Sequence, residues 1–198
     1  CIRDRVGVRD TKLFDQSHPV YKKMGATYPT GSNTDYLLGI WQDVYLFAVP
    51  EIRITDVFVQ SWLDKNELKV EVELTNLSSK KANITLNGEV REWINQAGKD
   101  ILTAPEIKWT LGNTALTMPV TTVVLQKGEK KKVIITQKPD DKLKYWTPDT
   151  PELYTLLLTV NGKKQIYDCK ATRFGWRQFK IVGDEFQLNG KKIQCFGD

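Results

Sequence analysis

The chain has 198 residues, 40% apolar and 27% charged, and its 29 Lys and Arg against 24 Asp and Glu leave a formal charge of +5. That composition fits an ordinary globular protein able to bury one good core, and no stretch approaches the roughly 18 consecutive apolar residues of a membrane-spanning helix or resembles a signal peptide. A nucleic-acid surface would interleave arginines and exposed aromatics with its charge, whereas here the lysines are scattered, with one knot at Lys127, Lys130, Lys131 and Lys132 around Gly128, so no nucleic-acid partner is expected.

The chain opens at Cys1 and runs at once into strand-like text at Ile2, Arg3, Val6 and Val8. A natural terminus ordinarily carries a flexible polar tail, so a fragment or a processed chain is expected; a lipid-modified Cys1 would continue into a disordered tether instead. Asp15 to Asp35 is loop-rich, with Pro19, Gly25, Pro29 and Gly31, and the single His18 lies inside it. With no second His and no neighbouring Cys, His18 is not a metal or catalytic candidate. A strand is expected from Ile40 to Ala48, ended by Pro50.

From about residue 51 to residue 173 the dominant period is two. Leu68, Val70, Val72 and Leu74 alternate with Glu67, Lys69, Glu71, Glu73 and Thr75, the pattern of a half-buried strand. Similar runs occupy Ile52 to Val59, Ala82 to Val90, Val120 to Leu125, Val133 to Thr136, Tyr154 to Val160 and Gln165 to Ala171. Turn chemistry separates them: Asn87-Gly88, Ala97-Gly98-Lys99, Gly112-Asn113, Lys127-Gly128, Pro139-Asp140-Asp141 and Asn161-Gly162, the last favouring a type I′ hairpin. No amphipathic helix is evident. Seven short strands and their turns predict an all-β fold, an immunoglobulin-like antiparallel β-sandwich with partial flanking β segments. Cys1, Cys169 and Cys195 provide no pair at the separation of the antibody disulfide, so free thiols are expected.

After Gly175 come a strand around Arg177 to Ile181, then Phe186-Gln187-Leu188, an Asn189-Gly190 turn and a strand Lys192 to Phe196. The turn should feed a strand paired with Arg177 to Ile181.

Three ordered segments carry a family resemblance. They are Gly39-Ile40-Trp41-Gln42-Asp43-Val44-Tyr45-Leu46; Trp146-Thr147-Pro148-Asp149-Thr150-Pro151-Glu152-Leu153-Tyr154; and Phe174-Gly175-Trp176-Arg177 with Phe186-Gln187-Leu188-Asn189-Gly190-Lys191-Lys192-Ile193. The set resembles glycoside hydrolase family 2, the family of many β-galactosidases, β-glucuronidases and β-mannosidases. The resemblance implies that residues 1–50 are the end of a jelly-roll sugar-binding domain, 51–173 the sandwich domain, and 174–198 the linker and first strand region of a catalytic TIM barrel. It also implies a retaining mechanism using two barrel glutamates, the acid/base following an Asn, both downstream of this text. The motif residues themselves read as structural: Pro148 and Pro151 stiffen a turn behind Trp146 that delivers Leu153 and Tyr154 to a strand.

No catalytic residue can be nominated. Asn66-Glu67 spells the acid/base pair but opens a sandwich strand, while Glu71/Glu73 and Asp140/Asp141 are solvent-facing strand and turn positions. No cofactor and no metal site are implied. Trp62, Trp93 and Trp109 lie outside the motifs and are the candidates for stacking on sugar rings, whereas Trp41, Trp146 and Trp176 are expected to pack between domains. The preferred reading is a non-catalytic sandwich of a β-glycoside hydrolase whose carbohydrate substrate is met through the full-length enzyme; the alternative is a free-standing carbohydrate-binding or adhesion module. Relatives occur in the cytoplasm and outside it, and the sequons Asn76-Leu77-Ser78 and Asn83-Ile84-Thr85 would matter only in a secretory pathway.

Overall fold

The computed structural model of the chain describes residues 44–96 and 109–194. Two compact units divide it, Cys1–Ala48 and Val49–Asp198. Of the first unit, Val44 to Ala48 are described; they are exposed and belong to no strand. The strand expected over Ile40 to Ala48 is therefore corrected over its second half, because apolar alternation makes a strand only where a neighbouring ladder takes up its backbone. Gly39, Ile40, Trp41 and Asp43, together with Cys1, His18, Cys195 and the Ala97-Gly98-Lys99 turn, lie outside the described residues.

The second unit is built from antiparallel strands. Eight of them form two sheets: β1 (Ile52–Trp62), β2 (Glu67–Asn76), β3 (Ala82–Asn95), β4 (Trp109–Thr117), β5 (Thr121–Leu125), β6 (Lys130–Gln137), β7 (Leu153–Asn161) and β8 (Ile166–Phe174). One sheet runs β1-β2-β6 and the other β4-β3-β7-β8, with β5 also paired to β3. In immunoglobulin terms these are strands A-B-E against C′-C-F-G. Leu68, Val70, Val72 and Leu74 of β2 are fully buried in one core with Leu86 and Val90 of β3 and Leu156 and Val160 of β7. Each such side chain contributes roughly 1.5–3 kcal/mol of burial. Among the described residues the only helical segment is a single 3₁₀ turn, Leu63–Lys65.

The sheets close on each other along β1 and β8. Each strand carries a register shift there, at Ile54/Asp56 in β1 and where Val160 and Asn161 of β7 face β8. The Ile54 N–H donates to the Asp168 carboxylate at 2.7 Å, and Lys170 Nζ donates to the Thr55 carbonyl at 3.3 Å. Side-chain acceptors and donors thus serve backbone groups where the regular ladder is interrupted.

Three expected turns are corrected. Asn87-Gly88 lies inside β3, where Gly88 leaves room for its neighbours: a Cβ there would stand 2.8 Å from Met118 Cγ and 3.1 Å from Leu158 Cδ2. Gly112-Asn113 lies inside β4, a strand the sequence reading omitted, making eight sandwich strands where seven were expected. Its register is bulged against β3, and the Gly112 carbonyl accepts Arg91 Nε at 3.0 Å and Nη2 at 2.7 Å. Asn161-Gly162 opens a longer loop, closed by Gly162 N–H to the Gln165 carbonyl at 2.8 Å, in place of a two-residue type I′ turn. The left-handed backbone expected at turns is found at Gly128 (φ 70°), Asp140 (φ 48°), Asp141 (φ 63°), Asn189 (φ 52°) and Gly190 (φ 78°).

Beyond the sandwich strands, β9 (Phe179–Val182), β10 (Glu185–Leu188) and β11 (Lys191–Ile193) form a small meander ordered β11-β10-β9. The Asn189-Gly190 turn joins β10 to β11, so the strand after the turn pairs with β10, and β9 lies on the far side of β10. That corrects the expected pairing: a two-residue turn returns the chain to the strand it has just left.

Candidate functional site

The second and third motif segments converge on one corner of the second unit. Tyr154 enters β7 with its ring 6.0 Å from Phe174 of β8. Ahead of it, the Trp146–Pro151 loop is held by Thr147 N–H to the Thr150 carbonyl at 3.1 Å and by the two threonine hydroxyls at 2.7 Å. The Trp146 N–H donates to the Trp176 carbonyl at 3.0 Å. Arg177 places its guanidinium 4.3 Å from the Trp146 ring centroid, and a Cβ on Gly175 would meet Trp146 Cβ and Cγ at 3.1 Å. Gly175 is therefore the residue type that lets this tryptophan seat against the strand end.

Asn189 ties the meander into the same corner. Its side-chain amide donates to the Trp146 carbonyl at 2.9 Å, while its Oδ1 accepts the Gln178 N–H at 2.9 Å. Lys180 Nζ adds an ion pair to Asp64 at 2.7 Å. Leu188 and Gly190 flank Asn189, and Leu153, half-buried, pairs with Trp93. Pro148 and Pro151 are exposed on the loop's outer side, and Val44, 66% exposed, belongs to the other unit. Trp176 is 3% exposed within the sandwich core itself, correcting the expectation that it packs between domains: its flanking residues Gly175 and Arg177 face Trp146, which turns the indole inward. Trp146 is half-buried.

Of the tryptophans that are candidates for sugar stacking, Trp93 and Trp109 occupy diagonal positions on one face of the paired β3 and β4, Trp93 opposite Leu111 and Trp109 opposite Asn95, and Trp62 ends β1 in the other sheet. Trp62 is half-buried at the end of β1, with Lys65 Nζ 4.6 Å from its ring centroid; Trp93 is half-buried in β3, with the Arg173 guanidinium 4.8 Å from its centroid. Each has one face taken by a cation. Trp109, 46% exposed, begins β4 opposite Asn95.

The carboxylates are arranged for charge pairing. Glu71 is held below its ordinary range by a hydrogen bond from Lys69 and then by Lys132, and Glu73 by Lys130 and then Thr55. Asp64 is likewise lowered by Lys180 and Gln178. Carboxylates kept ionised by lysines are poor proton donors. Asn66, at φ 48°, caps the 3₁₀ turn by its N–H to the Leu63 carbonyl at 3.1 Å, so Asn66-Glu67 is turn chemistry. Among the described residues no group of three His, Cys, Asp or Glu could hold a metal, and Cys169 is an exposed free thiol. No helix there is long and apolar enough to cross a membrane.

At the other end of β7, between the β2–β3 and β7–β8 turns, lies an open cavity of about 630 Å³. Lys80, Lys81, Lys163 and Lys164 line it, above a floor that includes Ile52 and Ala82. Sequence reading singled out the Lys127–Lys132 knot and passed over these residues. In the knot, Lys130 pairs with Glu73 at 2.9 Å and Lys132 with Glu71 at 3.2 Å. The available signal was a Lys-Lys doublet at each of two turns, which the pairing of β3 with β7 brings to one end of the sandwich.

The family model of Glycosyl hydrolases family 2 matches residues 52–177, the span that holds the sandwich and the corner. The chain belongs to that family and comprises its β-sandwich portion. It is 28% identical over 183 residues to a β-galactosidase of Priestia megaterium, covering 90% of this chain and 16% of that protein. A β-galactosidase of Streptococcus thermophilus is 24% identical over 179 residues, covering 88% of this chain and 15% of its own length. The fold is similar to a β-galacturonidase of this family from Eisenbergiella tayi, with TM-score 0.55 and 22% identity over 73% of this chain and 21% of that one. The chain thus spans about a sixth of the length of the curated relatives it matches.

Proposed function

We propose that the chain serves a β-glycoside hydrolase as a non-catalytic sandwich that spaces a jelly-roll domain, represented by residues 1–50, from a TIM barrel whose approach is residues 174–198. The barrel's two glutamates would perform retaining hydrolysis, and this chain would supply the frame on which the barrel begins. One observation carries the reading. The meander is fastened to the sandwich corner through Asn189, Gln178 and Lys180, while Phe179, Ile181 and Phe186 on its other side stay exposed, the two phenylalanine rings stacked at 5.6 Å. A rigidly mounted apolar face of this kind suits a following domain better than water.

The test is Phe186→Ser, in the isolated chain and in the intact hydrolase. Phe186 is already 43% exposed here and its ring stacks on Phe179, so the isolated chain should lose a small part of its stability, whereas the intact enzyme should lose about 1 kcal/mol more, read as inactivation at a lower temperature on heating. A loss in the intact enzyme no larger than in the isolated chain would remove the barrel from that face.

A further inference from the structure

We propose that the cavity between the β2–β3 and β7–β8 turns is a binding site for an acidic polysaccharide, gripping its carboxylate or sulfate groups through Lys80, Lys81, Lys163 and Lys164. The volume, about 630 Å³, lies within the ~300–1,000 Å³ of ligand sites and suits a short stretch of glycan.

Charge is the first argument. All four lysines are exposed and none forms an ion pair with a described residue; Lys127, Lys138, Lys142 and Lys191 form none either, but only the first four line the cavity together. One carboxylate, Glu51, stands in the wall. Four ammonium groups against one carboxylate around a concavity raise the local concentration of anions.

Rigidity is the second. The β2–β3 turn is stapled by Asn76, which is fully buried: its amide donates to the Lys80 carbonyl at 2.9 Å and the Gln126 carbonyl at 3.0 Å, and its Oδ1 accepts Ser78 N–H at 3.0 Å and Ser78 Oγ at 2.6 Å. The β7–β8 turn is closed by Gly162 N–H to Gln165, and Gly162 packs on the Tyr167 ring, which a Cβ would approach to 2.5 Å. Both lysine doublets therefore sit on preorganised backbone, which lowers the ordering cost of binding.

The wall chemistry selects the class of polyanion. Ser79, Asn83 and Gln165 offer neutral groups able to hydrogen-bond sugar hydroxyls, while the lining contains no arginine and its one aromatic side chain, Tyr167, has Gly162 packed against its ring. That favours a glycan over a nucleic acid. The inference concerns binding by the 198-residue chain alone and stands apart from any barrel.

Binding of the chain to polygalacturonate, dextran sulfate, uncharged dextran and duplex DNA is measured at low and moderate salt. The test variant carries Lys→Gln at 80, 81, 163 and 164; the control carries Lys→Gln at the exposed positions 127, 138, 142 and 191, which removes the same charge elsewhere. The expected result is binding to one or both acidic glycans, none to dextran, an affinity about tenfold or more weaker in the test variant, and little change in the control. Binding to polygalacturonate or to dextran sulfate alone would say which anionic group is taken. Equal losses in both variants, tighter binding to DNA, or no binding to either acidic glycan would overturn the proposal.

Discussion

The Tyr154 hydroxyl, at the start of β7, accepts a hydrogen bond from the Lys144 backbone N–H at 2.9 Å, ten residues upstream on the connection from β6. This is the tyrosine corner of immunoglobulin-like sandwiches, made on strand F and the E–F connection. Burial holds the phenol above its ordinary range, against a smaller opposing effect of the Lys144 N–H. Tyr154→Phe should cost about 1–3 kcal/mol, because it strands a partly buried backbone donor, read as a lower urea midpoint with unchanged slope. A group whose folded pKa is raised gives stability that is fully present below its unfolded value, near 10, and lost as pH rises beyond it. The wild type should therefore lose more stability than Tyr154→Phe above about pH 10.

Asn76 predicts a second effect. Its donors and acceptors are all used inside the protein, so the Asn76-Leu77-Ser78 sequon is occupied by a structural role. Asn76→Asp keeps the shape but replaces the NH₂ donors with acceptors, leaving the Lys80 and Gln126 carbonyls unpaired at a cost of about 2–4 kcal/mol near neutral pH. Part of that loss should return on acidification as the carboxyl takes up a proton, a recovery that Asn76→Ala should not show in the same thermal melts.

Gly88 and Gly175 test close approach. Val at 88 meets Met118 and Leu158 in the core and should cost about 1–3 kcal/mol by overpacking. Ala at 175 presses on Trp146 at 3.1 Å, so the ring must give by a few tenths of an ångström and its 4.3 Å stack with the Arg177 guanidinium must change. A changed tryptophan emission should accompany a smaller loss of stability, and an unchanged spectrum would mean that the ring does not carry the contact.

The lysine-paired carboxylates set an acid limit. Asp64, Glu71 and Glu73 all have folded pKa values below their unfolded ones, so their contribution is present above about pH 4.3 and disappears as pH falls through the lowered values. The melting temperature should decline below about pH 5, and Lys130→Met with Lys132→Met should flatten that decline. All three carboxylates are solvent-facing, so added salt should weaken the effect.

Much of the fold is legible in the sequence because alternation and burial agree. Leu68, Val70, Val72 and Leu74 alternate with charge, and they form the core strand they promise. Trp109–Thr117 was hidden because its burial is irregular, with Leu116 its one buried residue, and because Gly112-Asn113 carries turn chemistry that is here used for a bulge and an Arg91 clasp. Asn87-Gly88 misleads for a related reason: glycine marks either a turn or a place where other side chains need room, and local text does not separate the two. The corner was legible as motif letters, while the bonds from Asn189 to Trp146 and from Trp146 to Trp176 join residues far apart in the chain. The lysine cavity is an assembly of two distant turns.

The most direct test of the account is hydrolysis of a panel of nitrophenyl β-glycosides by the 198-residue chain and, beside it, by a full-length hydrolase containing it. The account predicts that the chain alone leaves every substrate intact while the full-length enzyme cleaves at least one with retention at the anomeric carbon. Turnover by the isolated chain, abolished by substitution of Glu67, Glu71 or Glu73, would contradict it.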